Sequence, residues 1–312
     1  MGTGESPDPE PSGNIDKPLE ASSGGRRQAA SICIAGVRLL RSPAVGIRNS
    51  SLTRVRPFFN ILLERDATGA DWLSKILSIT PNRQGFRDPA LLSSPGTLQP
   101  VELDEETKLD PPEPFLRWLI QHPKRMTWPK KGKAQFGPLA QHWREKLMGT
   151  RDLSTEPPER RSAIRASDRQ AAIQEALSQL DIHGARGSFK QWWAFEGRTS
   201  VDCYLSTDRL RICVEGKRTD ILSPSTDWYP RRNQLLRNLE AARSDANGAP
   251  FACIVIAEKP LPALPENMVA DGLPHLAEAE REDLLRHFLG SITWRDATQV
   301  TGVDYHKLPD RI

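Results

Sequence analysis

SVDCYLSTDRLRICVEGK, residues 200–217, is the stretch of sequence that decides the fold. Apolar and polar residues alternate in SVDCYLS and again in RLRICVEGK, and each segment has the length of a β-strand. The two segments are therefore predicted to pair as a hairpin. If its loop has an even number of residues, the hairpin closes either at Ser206 and Arg209 or at Leu205 and Leu210.

The register of this hairpin decides which side chains share a face. With an even loop, Asp202 lies opposite Cys213 and one diagonal step from Glu215. Because side chains alternate along a strand, Glu215 and Lys217 point to the same face as Asp202. The other face is then apolar and consists of Val201, Cys203, Leu205, Leu210, Ile212 and Val214. A slip of one residue would remove Asp202 from the charged face.

The segments around the hairpin complete an alternating pattern of helices and strands. Before it, apolar residues at helical spacing predict a helix that ends near Gly184. After it, YPRRNQLLRNLEAARSDA predicts a helix with Pro230 in its first turn. PFACIVIA has the continuous apolar character of a buried central strand. The predicted fold class is therefore α/β, in a domain that spans residues 160–312.

The first half of the chain is predicted to contain a tail and a helical region. Residues 1–56 join a Gly-, Pro- and Ser-rich start to an arginine-rich stretch, which predicts a disordered basic tail. Its composition resembles that of a transit peptide; a tail that contacts nucleic acid and a start placed too far upstream are the alternatives. Residues 57–150 carry short apolar patterns and are predicted to form a helical accessory region.

Composition excludes several classes of protein. The 312 residues carry a net charge of only +3, which is compatible with a polyanionic partner but does not indicate one. No window is long and apolar enough to span a bilayer, so no membrane partner is expected. The four cysteines lack the spacing of a zinc site or a disulfide scaffold, which favours a reducing, cytoplasmic location. No phosphate-binding GxxxxGK[ST] loop is present, and the scattered histidines do not indicate serine or cysteine hydrolase chemistry.

The charged face of the hairpin carries the residues that best indicate a function. Two carboxylates, those of Asp202 and Glu215, would converge there with the ammonium group of Lys217. Mg²⁺ and Mn²⁺ bind oxygen ligands, often one or two carboxylates together with water and phosphate oxygens. A lysine beside such a cation can orient an attacking water, which is the chemistry of phosphodiester hydrolysis. The alternative is that Glu215 and Lys217 form an ordinary solvated charge pair.

The surrounding sequence resembles that of a known superfamily. EGRTSVDCYLSTDRLRICVEGKRTD, followed by WYPRRNQLLRNLEAA, is similar to uncharacterised members of the PD-(D/E)XK nuclease superfamily. The resemblance implies a restriction-endonuclease-like mixed β-sheet flanked by helices. It also implies that Asp202 and Glu215 bind magnesium and that Lys217 is the catalytic lysine. Glu196 would be the additional acidic residue that many members carry.

Two features depart from the superfamily's pattern. Val201 replaces the proline of the superfamily's name, at a position that only shapes how the strand begins. Gln234 and Asn238 stand where some members carry a Gln-x-x-x-Tyr helix, so the chain is not assigned to that exonuclease-like subgroup.

The helix that follows the hairpin offers supporting residues. Arg231, Gln234 and Asn238 fall on one polar stripe of this predicted helix, where they are expected to contact a phosphate or to support the metal ligands. The alternative is a solvated helix face. Arg218, next to Lys217, has the same two interpretations.

A basic and aromatic run is a second candidate for contact with nucleic acid. Its members are Lys124, Arg125, Trp128, Lys130, Lys131, Lys133, Phe136, Trp143, Arg144, Lys146, Arg160, Arg161, Arg165 and Arg169. The favoured alternative for the rings, as for Trp192, Trp193 and Phe195, is packing in the core.

The resulting hypothesis is a metal-dependent nuclease that uses Mg²⁺ or Mn²⁺, with DNA rather than RNA as the expected partner. The rival hypothesis is a catalytically inactive nucleic-acid-binding or protein-interaction module with the same fold.

Overall fold

The computed structural model describes residues 50–127, 138–149, 166–187, 195–218, 222–226 and 229–310. The helices in these ranges are α1 (Arg56–Arg65), α2 (Leu73–Ser78), α3 (Pro89–Ser93), α4 (Glu113–Gln121), α5 (Pro138–Met148), α6 (Ala166–Gly187), α7 (Gln234–Ala246), α8 (Glu266–Gly272), α9 (Glu278–Leu285) and α10 (Trp294–Thr301). The strands are β1 (Thr107–Leu109), β2 (Thr199–Val201), β3 (Cys203–Ser206), β4 (Arg211–Gly216), β5 (Phe251–Ala257) and β6 (Phe288–Thr293). A π-helical turn lies at Ser51–Val55, and 3₁₀ turns lie at Arg83–Gly85, Pro123–Arg125 and Tyr305–Lys307.

The central sheet has four strands in the order β3-β4-β5-β6. β3 and β4 are antiparallel, whereas β4, β5 and β6 run parallel to one another. Helix α7 provides the crossover that the parallel pair β4 and β5 needs. β5 is buried along its whole length between two neighbours, as its continuous apolar sequence predicts. The protein is therefore mixed α/β, as the alternation of helices and strands predicts.

The β3–β4 hairpin has the predicted parity but a different register. Ser206 pairs with Arg211, so that the loop comprises residues 207–210. The predicted position of Asp202 opposite Cys213 is wrong by two residues, since Cys213 pairs with Tyr204. A shift of two residues leaves alternate side chains on their predicted faces.

Hydrogen bonds of Thr207 explain why the loop comprises residues 207–210. Its backbone N–H donates to the carbonyl of Leu210 (2.9 Å), and the N–H of Leu210 donates to the Thr207 hydroxyl (2.7 Å). That hydroxyl also donates to the carbonyl of Pro95 (2.5 Å), and Thr207 is completely buried. Contacts with a segment distant in sequence thus fix the register.

The chain bends at Asp202, between β2 and β3. Val201 packs with Cys213 and Leu235 on one side of the sheet, whereas Cys203 packs on the other side. The prediction that Val201 and Cys203 share a face is therefore wrong. The cause is that β2 leaves the main sheet and pairs with β1.

The first helix begins upstream of the predicted boundary at residue 56. The π-helical turn Ser51–Val55 continues directly into α1, and both contribute to the core on the Cys203 side of the sheet. Arg54 is buried there because Glu258 accepts a hydrogen bond from its guanidinium group (2.7 Å). Residues 51–56 are thus part of the folded core, and α1, α2 and α3 form a layer on the sheet instead of a separate accessory region.

Helix α7 covers the opposite side of the sheet. It begins at Gln234 and not near Pro230, because the side chain of Asn233 caps it by accepting a hydrogen bond from the N–H of Leu235 (2.8 Å). Helices α4, α5 and α6 enclose another apolar cluster, in which Phe195 and Trp143 are buried. The helical backbone of α6 breaks at Gly184, which has a φ of 60°, close to the predicted end.

Several predictions fall on residues outside the described ranges. They concern most of the tail (residues 1–49), Arg160, Arg161, Arg165, Trp192, Trp193 and the segment 128–137. Of the cysteines, Cys203, Cys213 and Cys253 are buried and free. Within the described ranges, none of the helices has both the length and the apolar character needed to cross a membrane.

Candidate active site

Glu215 lies near the end of β4, and Lys217 directly follows this strand. The parallel strands β5 and β6 end at the same edge of the sheet. Glu215 is 3% exposed and Lys217 is 9% exposed. Nζ of Lys217 lies 2.8 Å from Oε1 of Glu215. The carboxylate and the ammonium group are therefore in direct contact in a largely dry environment, which excludes the alternative of an ordinary solvated charge pair.

Asp202 reaches the same place from the bend between β2 and β3. Its Oδ2 accepts a hydrogen bond of 2.8 Å from the backbone N–H of Gly216, the residue between Glu215 and Lys217. Burial, and then the negative charge of Glu215, raise the pKa of Asp202 to about 7. Three predicted site residues thus meet at one point, although the register differs from the predicted one.

The carboxylate of Glu215 is held by two amides from α7. Gln234 donates from Nε2 to Oε1 (2.7 Å), and Asn238 donates from Nδ2 to Oε2 (2.8 Å). Oδ1 of Asn238 in turn accepts a hydrogen bond from the hydroxyl of Thr199 (2.8 Å). Burial raises the pKa of Glu215, and Lys217 and Asn238 partly oppose this rise. Gln234 and Asn238 therefore both hold the carboxylate of Glu215.

The backbone of Lys217 is fixed on both sides. Its N–H donates to the carbonyl of Ile256 on β5 (2.8 Å), and its carbonyl accepts a hydrogen bond from Nε1 of Trp294 on α10 (2.9 Å). Trp294 is fully buried. The lysine side chain thus extends from a rigid support, which is what a positioned catalytic group requires.

Gly216 is required by close packing of the N-terminal turn against this strand. A Cβ atom at this position would lie 2.2 Å from Cγ2 of Val55 and 3.2 Å from Cζ2 of Trp294. The glycine between Glu215 and Lys217 therefore lets the Ser51–Val55 turn pack directly behind the site.

Glu106 is a further acidic residue near this centre that the sequence pattern does not identify. It precedes β1, whose Thr107 pairs with Val201, the residue before Asp202. Its charge is a smaller cause, after burial, that raises the pKa of both Asp202 and Glu215. In the sequence, Glu106 lies in an acidic, Pro-rich stretch that indicates a linker, so only the β1–β2 pairing reveals its position.

Glu196 does not join the predicted carboxylates. It is 1% exposed and lies within 3.2 Å of Arg232 and 3.4 Å of Arg237. Arg232 also pairs with Glu240 (2.5 Å), which contacts His275 (2.6 Å). The sequence predicts Glu196 as a catalytic acid. In the structure Glu196 instead belongs to a buried ion cluster that joins α7 to the preceding segment.

The two predicted arginines also have other contacts. Arg231 lies before α7, is exposed and pairs with Asp271. It is thus not on the stripe that Gln234 and Asn238 form, because the helix begins later than predicted. Arg218 donates from Nη2 to Oδ1 of Asp310 (2.7 Å).

The donor set suits a divalent cation bound mainly through water. Among the described residues, no group of three or more His, Cys, Asp or Glu side chains has the arrangement of a metal cage. Mg²⁺, however, commonly binds through one or two carboxylates and keeps several waters. Asp202 and Glu215 bring two carboxylates against the single ammonium of Lys217, and this excess of negative charge fits a divalent cation. Glu215 accepts three hydrogen bonds of about four that a carboxylate can accept, which leaves room for a ligand.

The fold and this centre define a mixed α/β protein with a buried carboxylate and lysine site. No protein-family model, curated protein or solved structure matches the chain.

Proposed function

We propose that this protein is a metal-dependent nuclease with a restriction-endonuclease-like fold, which hydrolyses nucleic-acid phosphodiester bonds with Mg²⁺ or Mn²⁺. The observation that carries the proposal is the meeting of Asp202, Glu215 and Lys217 at the end of β4, with negative charge in excess. A purely structural ion pair needs only one carboxylate, and a second buried carboxylate without its own cation is costly.

In this proposal each residue has a distinct role. Asp202 and Glu215 would hold the cation, and Gln234 and Asn238 keep the carboxylate of Glu215 in one orientation. A bound divalent cation acidifies a coordinated water and offsets charge on the phosphate. Lys217 would orient the attacking water or stabilise charge that develops on the phosphate oxygens.

The remaining features of the proposal concern partner and location. DNA is the proposed substrate ahead of RNA, and side chains such as Lys124 and Arg125 would contribute to contact with its backbone. The three buried free cysteines suit a reducing compartment, and we propose a cytoplasmic location.

A cleavage panel tests the proposal against the rival of a non-catalytic module. Labelled single- and double-stranded DNA and RNA are incubated with the full chain in Mg²⁺, Mn²⁺ or EDTA, next to Asp202→Asn. Cleavage that needs the metal and disappears in the variant supports the proposal. Binding of a substrate that stays intact under every condition would favour the non-catalytic module.

A further inference from the structure

A cavity of about 540 Å³ adjoins the site on the side of Lys217. Arg54, Arg218 and Lys259 line it together with Glu258, Tyr305 and Asp310. We refer to it as the arginine cavity. Because Lys217 lies in its wall, any group bound in this cavity would be next to the proposed reacting centre.

Two arginines converge in this cavity on one carboxylate oxygen. Oδ1 of Asp310 lies 3.2 Å from Nη2 of Arg54 and 2.7 Å from Nη2 of Arg218. Arg218 also donates from Nη1 to the backbone carbonyl of Asp310 (2.6 Å). Two guanidinium groups around one oxygen form the arrangement that binds phosphate and carboxylate anions most strongly.

The arginines and their anion differ sharply in burial. The side chains of Arg54 and Arg218 are 2% and 10% exposed, whereas that of Asp310 is 81% exposed. The carboxylate of Asp310 is therefore open to the solvent, from which another anion can replace it on the buried arginines.

Glu258 keeps its contact with both arginines when Asp310 leaves. Glu258 accepts a hydrogen bond from Nε of Arg54 (2.7 Å), and the hydroxyl of Tyr305 donates to the other oxygen of Glu258 (2.7 Å). Without Asp310 the cavity keeps the cations Arg54, Arg218 and Lys259 against the single carboxylate of Glu258. It then carries a net positive charge, with Arg54 hydrogen-bonded to Glu258 and Nε of Arg218 3.9 Å from the same carboxylate.

We infer that the arginine cavity binds a phosphate group of the nucleic-acid strand and that Asp310 occupies this phosphate site until the strand displaces it. The choice of ligand rests on the proposed function, since a strand whose phosphodiester lies at Lys217 presents further phosphates nearby. Phosphate carries more charge and more acceptor oxygens than the carboxylate that it replaces.

Binding in EDTA tests the inference without any cleavage. Fluorescence anisotropy compares two single-stranded DNA oligonucleotides of one sequence, one with a 5′-phosphate and one with a 5′-hydroxyl group. The proteins are the full chain, Asp310→Asn, Arg218→Gln and the control Asp271→Asn. Asp271 is a suitable control because it is also an exposed carboxylate paired with an arginine, Arg231, outside the cavity.

We expect Asp310→Asn to bind DNA on the order of fivefold more tightly. Asp271→Asn should bind as the unmodified chain does. Arg218→Gln should weaken binding and reduce the slope of log K against log salt by about 1. A gain confined to the 5′-phosphorylated strand would assign the site to a terminal phosphate, and an equal gain for both strands to an internal one.

Unchanged or weaker binding by Asp310→Asn, or the same gain in Asp271→Asn, would overturn the inference. The proposed function fails separately: if the metal-loaded chain cleaves nothing but Asp310→Asn still binds more tightly, the phosphate site stands and the nuclease does not. Thermal melts of each variant confirm that all four proteins are folded.

Discussion

Oε1 of Glu215 lies 2.8 Å from Nζ of Lys217, and both side chains are almost completely buried. A buried ion pair is stable only when further hydrogen bonds satisfy its remaining polar atoms. Gln234 and Asn238 supply these bonds to Glu215, so helix α7 and strand β4 are coupled through one carboxylate. The first prediction follows from this coupling.

Asn238→Ala should lower the free energy of unfolding by about 1–3 kcal/mol, because it leaves a buried carboxylate oxygen without its donor. Urea denaturation measures this loss. The control is Gln174→Ala, which removes a side-chain amide from the exposed side of α6 and should change stability by less than about 0.5 kcal/mol. Equal effects of the two substitutions would contradict the role given to Asn238.

The raised pKa of Asp202 predicts that the free energy of unfolding of the metal-free protein depends on pH. The pKa of Asp202 is raised from 3.8 to about 7, so the stability that it contributes is fully present below pH 3.8 and is lost as the pH rises through 7. Within that window each pH unit should lower the free energy of unfolding by up to about 1.4 kcal/mol. Urea titrations in EDTA at several pH values, with Asp202→Asn for comparison, measure this slope.

The Asp202→Asn variant should have a shallower dependence on pH than the unmodified chain, since the titrating group is gone. Added Mg²⁺ should stabilise the unmodified chain more at pH 8 than at pH 5, because a cation binds the deprotonated carboxylate. Parallel pH profiles for the two proteins in EDTA would show that Asp202 has no raised pKa.

Arg231 and Arg232 are neighbours in the sequence, but their substitution should affect stability very differently. Arg232 is fully buried between Glu196 and Glu240, so Arg232→Met should destabilise the protein by about 3–5 kcal/mol, because two buried carboxylates lose their cation. Arg231 is exposed, and Arg231→Met should cost less than about 1 kcal/mol. Thermal denaturation of both variants measures this difference, and equal losses of stability would contradict the buried position of Arg232 between two carboxylates.

Gly216→Ala tests the packing behind the site. The added methyl group would lie 2.2 Å from Val55, so we expect a loss of about 1–3 kcal/mol in stability and a disturbed position of Lys217. Gly85→Ala is the matched control, since nothing lies within 4 Å of its added Cβ. If chemical denaturation showed the same stability for both variants, Val55 would not pack against Gly216 in solution.

The local pattern of the sequence predicts the hairpin, its charged face and the buried strand β5. These features depend only on the alternation of side chains along a strand. A shift of two residues in register leaves each side chain on the same face. Asp202 comes next to Glu215 from the bend between β2 and β3, and its predicted position opposite Cys213 is wrong.

Features that depend on distant contacts are not visible in the sequence. Glu106 is close to Asp202 because β1 pairs with β2, and the carboxylate partner of the buried Arg54 is Glu258, 204 residues further along the chain. The sequence predicts Glu196 beside the other carboxylates, whereas in the structure Glu196 pairs with the buried Arg232. From the sequence alone these charged residues are expected to be solvated, because their partners are distant along the chain.

The most direct test of the central claim is the single-turnover rate of cleavage of the best substrate by Lys217→Met in saturating Mg²⁺. Removal of one positioned charge-stabilising group should reduce the rate by about 10²–10³-fold, while Arg231→Met should cleave at the unmodified rate. Binding measured in EDTA confirms that the Lys217→Met variant still holds the substrate. Cleavage by Lys217→Met at the rate of the unmodified chain would contradict the assignment of this centre as the active site.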